Sequence, residues 1–369
     1  VTADRKNQPT RTIRVDLGER SYPIRIGSDG LDGLGEAVAR RTNATRVGVV
    51  TVPAVGRRYG GAVMRSLKRA GLKARRIDVP DGDSTKNLGQ IRKLYEAFLE
   101  WGLDRKSVLI ALGGGMVGDL TGFAAATYLR GIPFVQVPTT ILSMVDASIG
   151  GKTAVNLPQG KNLVGAFHQP CLVWIDTGTL VSLPRRDRAA GMAEVVKAGA
   201  IWDARYFARL EREHRQVMDL EPASLVRVLE RGCRIKAEVV SQDEREESGV
   251  RALLNFGHTL AHAIEAQMGY DRILHGEAVS IGMVHAARRS EVLGHAPAGT
   301  SERLEDLLGS LQLPTEIPGY DRKAHLSAIR VDKKKVGQKI HYVVLRRIGQ
   351  ADTVELTPAQ ILPVRGAKG

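Results

Sequence analysis

SVLIALGGGMVGDLTGFAAATYLR, residues 107–130, is the stretch on which the fold turns. An apolar, branched run meets three consecutive glycines and passes into a helical pattern, the order of a buried strand, a tight turn and a helix. Gly113, Gly115 and Gly118 also satisfy G-x-G-x-x-G. Residues without a Cβ let backbone N–H groups approach a pyrophosphate at the positively polarised start of a helix. Taken alone the turn is a weak signal, because glycine turns join many strands to helices. The acidic ribose ligand expected about 20 residues on is missing, since FVQVPTT (134–140) contains none. A plain Rossmann arrangement is therefore not expected. Asp119 reads equally as a charge complementing the helix dipole or as a cofactor contact.

Outward from this stretch the pattern repeats. TRVGVVTV (45–52), ARRIDVP (74–80) and IPFVQVPTT (132–140) read as strands, and VMRSLKRAG (63–71) as a helix ending at a glycine cap. Leu88, Ile91, Leu94, Tyr95, Phe98 and Leu99 recur at helical spacing. This alternation predicts an α/β fold with a mostly parallel sheet and helices on both faces. DGDSTK (81–86) after a strand is either an ordinary turn and helix cap or a second cofactor loop. After about Leu183 long helical patterns take over: AAGMAEVVKAGAIW, LVRVLERGCRIKAEVV and LLNFGHTLAHAIEAQM. The expected division is a Rossmann-like parallel-sheet α/β domain over 1–180 and a mainly helical domain over 181–369.

Composition narrows the function. The chain of 369 residues carries 54 Lys+Arg against 40 Asp+Glu, a formal charge of +14. The basic residues are scattered and aromatic residues are few, so neither a basic stripe nor a base-stacking platform is present; nucleic acid is not an expected partner. No apolar run approaches the length of a membrane span, and the stretch from Val1 to about Arg14 lacks the apolar core of a secretory signal. Cys171 and Cys233 are the two cysteines. They exclude a disulfide framework and suit a reducing cytoplasm.

Two clusters carry chemistry. NFGHTLAHAIE (255–265) places His258 and His262 four apart on one helix face; His275 follows in LHGEA, and Glu194 lies upstream in an otherwise apolar helix. Imidazoles with a carboxylate form a common ligand set for a catalytic zinc with an open position. Spacing does not say which three of these four hold the metal, only that one is left over as an acid, base or substrate contact. GGKTAVN (150–156) and GKNLVGAFHQP (160–170) supply Lys152, Lys161 and Asn162, donors suited to phosphate and carboxylate oxygens, in a Gly-rich region placed between the two domains. Lys197 follows Glu194 by one helical turn, so both can face one cleft. Arg130, at the end of the helix, reads either as a charge offsetting the helix dipole or as an anion contact, and Lys236 and Arg251 read as solvated surface charges.

In this order DGDSTK, GGGMVGDLTGFAAATYLRG, QVPTTILSMVDASIGGKTAVN, GKNLVGAFHQP, AGMAEVVKAG, LLNFGHTLAHAIEA and LHGEAVSIGM resemble the 3-dehydroquinate synthase family of sugar phosphate cyclases, over nearly the whole chain. Departures are slight: MVDAS where VDSS is commoner, and GMVGD where GVVGD is commoner. The resemblance implies a lyase of the shikimate pathway. It converts 3-deoxy-D-arabino-heptulosonate 7-phosphate to 3-dehydroquinate and phosphate, with NAD reduced and regenerated in each turnover. It implies Glu194, His258 and His275 as ligands of one divalent metal, zinc or cobalt, with His262 left as a catalytic group. NAD would be held by Asp81, Gly82, Asp83, Ser84, Thr85, Lys86, Gly115, Met116, Val117, Gly118, Asp119, Thr139, Thr140, Lys152, Lys161, Thr179, Leu180, Val181 and Ser182. Asp146, Lys152, Asn162, Lys197, Lys236, Arg251, Asn255 and Lys334 of the DKKK segment would meet substrate. Lys152, Asn162 and Lys197 would also share in catalysis. Glu246 matches a proton-acceptor position, although from its surroundings it reads as exposed. The family also implies a cytoplasmic homodimer in which Arg130 reaches the phosphate bound to the neighbouring subunit. The rival readings are a metal- and NAD-dependent polyol or alcohol dehydrogenase, with net oxidation, and a related sugar phosphate cyclase.

Overall fold

The structure is a computed structural model that describes residues 10–362 apart from 29, 45, 270, 271, 318, 320 and 333–338. The chain divides into two compact units, Val1–Leu183 with Pro222–Arg245, and Pro184–Glu221 with Glu246–Gly369. A single cut near residue 180 is therefore corrected: the chain leaves the first unit, returns to it for one helix and leaves again.

The first unit is built on a seven-stranded sheet. Its strands are β1 (Arg11–Val15), β2 (Tyr22–Gly27), β3 (Arg46–Thr51), β4 (Lys73–Asp78), β5 (Val108–Gly113), β6 (Phe134–Pro138) and β9 (Leu172–Asp176). They lie in the order β1-β2-β9-β6-β5-β3-β4, with every neighbouring pair parallel except β1–β2. All six positions of β5 are buried, which explains why its sequence is continuously apolar rather than alternating. Val108, Ile110 and Leu112 pack on one face with Leu34, Val38, Val63 and Leu67. Leu109 and Ala111 pack on the other with Ile91, Leu94, Phe98, Leu120 and Phe123. From β3 the chain steps to β4 on one side, then passes through β5, β6 and β9 on the other. The winding therefore reverses between β3 and β5, and in open α/β sheets ligands bind outside the carboxyl ends of the strands at such a reversal.

Two features of this unit differ from the sequence reading. The segment taken as a Gly-rich region between domains is an antiparallel ribbon, β7 (Lys152–Leu157) with β8 (Gly160–Phe167), inside the first unit. The helix Pro222–Gln242, assigned above to the second domain, packs on β1, β2 and the turn Ser143–Ala147. Its apolar side (Leu225, Val228, Leu229, Cys233, Ile235) is buried, and Cys233 Sγ donates to the Met144 carbonyl at 3.4 Å. Periodicity predicted the helix correctly but carries no information about which body covers its apolar stripe.

The second unit is mainly helical and includes a ribbon of β10 (Ile340–Arg347) and β11 (Gln350–Leu356). Its central helix, His275–Val292, packs against the helices Arg185–Trp202, His258–Met268 and Thr300–Ser310 and against β10. Ser290 Oγ accepts the Leu345 N–H at 2.9 Å, tying the ribbon to that helix. Among the described residues no helix is long and apolar enough to cross a membrane.

Candidate NAD loops and metal centre

Parallel pairing brings four loops to one edge of the sheet. Asp81–Lys86 follow β4, Gly115–Asp119 follow β5, Thr139 and Thr140 follow β6, and Thr179–Ser182 follow β9. Sequence-distant segments expected to hold NAD thus share one edge of the sheet through strand direction, and strand order sets which of them are adjacent. Gly118 permits the close seat of the glycine-turn helix: a Cβ there would stand 2.8 Å from Gln136 Oε1 of β6. The Thr139 N–H donates to the Gly113 carbonyl at 2.9 Å, and Tyr59 Oη donates to the Thr179 carbonyl at 2.9 Å. Thr85 Oγ1 donates to the Gly82 carbonyl at 2.8 Å and lies 3.9 Å from Met116 Sδ. Val117 and Leu180 are core residues, whereas Val181 is exposed.

Lys86 organises the polar part of this edge. Its ammonium, nearly buried, donates to Asp119 Oδ2 and to Asn162 Oδ1, each at 2.5 Å. Burial raises the Asp119 carboxyl above its ordinary range, and the charge and hydrogen bond of Lys86 work against that rise. Asp119 is therefore a partner of a buried lysine, not a plain helix-dipole charge. Lys161 pairs with Asp83 at 3.0 Å. Asn156, which the sequence reading did not single out, accepts from the Asn162 N–H at 3.0 Å and donates its own N–H to the Lys86 carbonyl at 2.7 Å. It joins the 81–86 loop to the turn where Asn162 adopts φ +55°. Lys152 is exposed at the start of β7. Lys236 is paired with Asp146 and has a largely covered side chain, which corrects its reading as a solvated charge.

In the second unit the helix Arg185–Trp202 carries Glu194, 3% exposed, and Lys197, 2% exposed. The Lys197 ammonium forms an ion pair with Glu194 Oε2. Glu194 Oε1 is buried without a hydrogen-bond partner, 3.6 Å from His258 Nε2 and 3.8 Å from His275 Nε2. One ligand atom from each of Glu194, His258 and His275 lies within 4.8 Å of the others. His262 is exposed and outside this cluster, its ring edge-on to His258 at 5.6 Å. His258 turns Nδ1 to the Phe256 carbonyl at 3.2 Å. Burial, with the positive charges of Lys197, His275 and His262, drives its pKa well below the ordinary imidazole value. For His275 burial also opposes charge, but the hydrogen bond and charge of Glu265, joined by Glu194, outweigh it, and the net shift is upward. A buried carboxylate oxygen with no partner, facing two imidazole Nε2 atoms, fits a divalent metal of the zinc class.

Two glycines beside these candidate ligands make the close approach of their helices possible. Gly257 takes φ +81° at the start of the His258 helix, where its own Cβ would meet Met283 N at 2.7 Å. Gly276 lets the His275 helix lie on the Glu194 helix: a Cβ there would stand 1.8 Å from the Ala190 carbonyl oxygen. Glu277 caps its helix through the Leu274 N–H at 2.9 Å and takes a bidentate pair from Arg186 at 2.6 and 2.8 Å.

Of the remaining residues, Arg251 is only 1% exposed, a second correction to the solvated-charge reading. Its Nε lies 3.8 Å from the carboxylate of Glu246, an exposed residue at φ +63°. Asn255 is exposed. Arg130 is exposed and takes φ +70° beside Leu129 at φ +50°, a backbone that ends the helix abruptly. Lys334 lies outside the described residues.

Comparison with known proteins gives the family. Residues 76–190 match the family model of the 3-dehydroquinate synthase N-terminal domain, and residues 191–335 that of the C-terminal domain. The chain belongs to the 3-dehydroquinate synthase family. It is an enzyme of the phosphorus–oxygen lyase class. The 3-dehydroquinate synthase of Desulforamulus reducens is 47% identical over 355 residues, 96% of this chain and 99% of that one. That of Geobacter metallireducens is 48% identical over 360 residues, 97% and 99% of the two chains. Among solved structures, 2-deoxy-scyllo-inosose synthase complexed with carbaglucose-6-phosphate, NAD+ and Co2+ is 25% identical, covers 95% of this chain and 98% of that one, and superposes with a TM-score of 0.86. The 2-epi-5-epi-valiolone synthase of Streptomyces hygroscopicus subsp. jinggangensis, with NAD+ and Zn2+ bound, is 29% identical, covers 94% and 96%, and has a TM-score of 0.85. An NADH-dependent butanol dehydrogenase from Thermotoga maritima reaches a TM-score of 0.65 at 14% identity, covering 92% and 94%, a likeness of fold alone.

Proposed function

We propose that this chain is a 3-dehydroquinate synthase, converting 3-deoxy-D-arabino-heptulosonate 7-phosphate to 3-dehydroquinate and phosphate in aromatic amino acid biosynthesis. The observation that carries the reading is Glu194 Oε1, a buried carboxylate oxygen without a partner that faces His258 and His275, in a chain nearly half identical to 3-dehydroquinate synthases. Glu194, His258 and His275 hold one divalent metal, zinc or cobalt, and the loops after β4, β5, β6 and β9 hold NAD. When bound, the metal supplies Lewis acidity and NAD a hydride acceptor that is regenerated within the turnover.

The protein's own residues bind and orient. In the first unit Lys152, Asn162 and Lys236 present donors to the phosphate and carboxylate oxygens of the substrate, Asp146 aligning Lys236. In the second, Lys197, Arg251 and Asn255 do the same, with Lys334 the choice within DKKK. Lys197 and Arg251 are nearly buried, where a charge-assisted hydrogen bond is little screened and fixes a multistep substrate. His262, beside the metal ligands but not one of them, is placed to hold or move a proton at its exposed imidazole. Glu246, paired with Arg251, is the second candidate for that task. The enzyme works in the cytoplasm as a homodimer, with Arg130 reaching the phosphate bound by the neighbouring subunit.

Chelation tests the metal assignment. Phosphate release from the heptulosonate substrate is expected to stop in metal-stripped protein supplied with NAD and to return on adding zinc or cobalt. Full release by the stripped protein would contradict it.

A further inference from the structure

The helix His258–Met268 carries an acid that the proposed reaction leaves unused. Glu265 is 3% exposed, and a bare carboxylate at that depth is costly unless something holds it. Its Oε2 lies 3.4 Å from Nδ1 of His275, ten residues on. The other nitrogen of the same ring, Nε2, faces Glu194 Oε1 at 3.8 Å. His275 is thus bracketed by two carboxylates, one on each nitrogen. Glu265 is not itself among the groups whose ligand atoms gather within 4.8 Å. His258 shows the simpler form of the arrangement, with Nδ1 turned to the Phe256 carbonyl.

We propose that Glu265 is a positioning residue for the metal centre: its carboxylate accepts the Nδ1–H of His275, fixing the tautomer and the ring so that the Nε2 lone pair points at the metal. This rests on the reading that Glu194, His258 and His275 hold that metal. A carboxylate behind a ligating imidazole raises its basicity, and loss of such a partner typically weakens metal binding by about 10- to 100-fold. The contact has a second consequence. Glu265 and His258 share one helix, so the hydrogen bond sets the spacing between the helix bearing one imidazole ligand and the start of the helix bearing the other.

The test is metal affinity, read by competition with a chromogenic chelator, for Glu265→Gln, Glu265→Asp and His275→Ala beside the native chain. Gln keeps the shape and removes the charge; Asp keeps the charge and withdraws it from the ring. Both are expected to bind zinc about 10- to 100-fold more weakly. Both should also shift the visible spectrum of the cobalt-loaded protein, while far-UV circular dichroism of the metal-free chain stays native. Native affinity and an unchanged cobalt spectrum in both variants, with His275→Ala losing metal, would overturn the positioning role. Failure of both variants to fold without metal would overturn it too, making Glu265 a packing residue. Native affinity in His275→Ala would instead remove the ligand assignment on which the inference rests.

Discussion

At the scale of single residues, ionisable side chains differ most from what their chemistry suggests. Arg251 and Lys236 are types that stand in water by default, yet Arg251 is 1% exposed and Lys236 is covered beside Asp146. Nothing in a lone sequence marks a buried arginine, because the residues that desolvate it are remote in the chain. His285 illustrates the energetic side. It lies outside the metal cluster, its Nδ1 is buried without a hydrogen-bond partner, and burial with the charges of Arg289 and Arg288 lowers its pKa from 6.5 to about 4. Below pH 6.5 the unfolded chain takes up a proton that the folded chain refuses until about pH 4. Stability therefore falls as pH drops through that window and rises with pH across it, by up to roughly 3 kcal/mol. His285→Gln removes the titration. The fall in melting temperature between pH 7 and pH 4.5 is expected to be smaller in that variant than in the native protein, and an equal fall in both would contradict the assignment.

At the scale of elements, glycines let the helices of the candidate metal centre lie close together. Gly276 has no room for a Cβ, which would stand 1.8 Å from a backbone oxygen of the helix holding Glu194. Backbone does not yield as a side chain does, so Gly276→Ala must push the His275 helix away from Glu194. Overpacking of this kind costs about 1–3 kcal/mol or more. Lowered melting temperature together with lost zinc is expected, and native values of both would show that the helix contact does not set the site. Such elements were legible to different degrees. The strand, glycine turn and helix over 107–130 could be read because a parallel strand buried on both faces is apolar without interruption. The ribbon of β7 and β8 could not, because Thr153 and Val155 are its buried positions, β8 is exposed or half-exposed throughout and the pairing is irregular between Val155 and Leu157, so too little apolar periodicity marks a strand. The helix Pro222–Gln242 could be predicted as a helix but not placed, and Glu265 lay within the quoted histidine motif without a role, since its partner belongs to the next helix.

At the scale of the whole molecule, the family match runs through both halves of the chain, and the four segments that the resemblance implies for NAD each follow a strand at the carboxyl edge of the sheet. The structure gathers Glu194, His258 and His275, the three that the resemblance implies for a metal, and leaves His262 outside their cluster. Dehydrogenases share this fold at low identity, so fold alone does not separate net oxidation from a redox-neutral cyclisation. One reaction vessel does. Phosphate release from 3-deoxy-D-arabino-heptulosonate 7-phosphate would be followed with NAD and zinc present while absorbance reports NADH. Phosphate and 3-dehydroquinate should form together over many turnovers without net NADH; NADH rising in step with product, or steady NADH from a simple polyol and no phosphate, would contradict the cyclase.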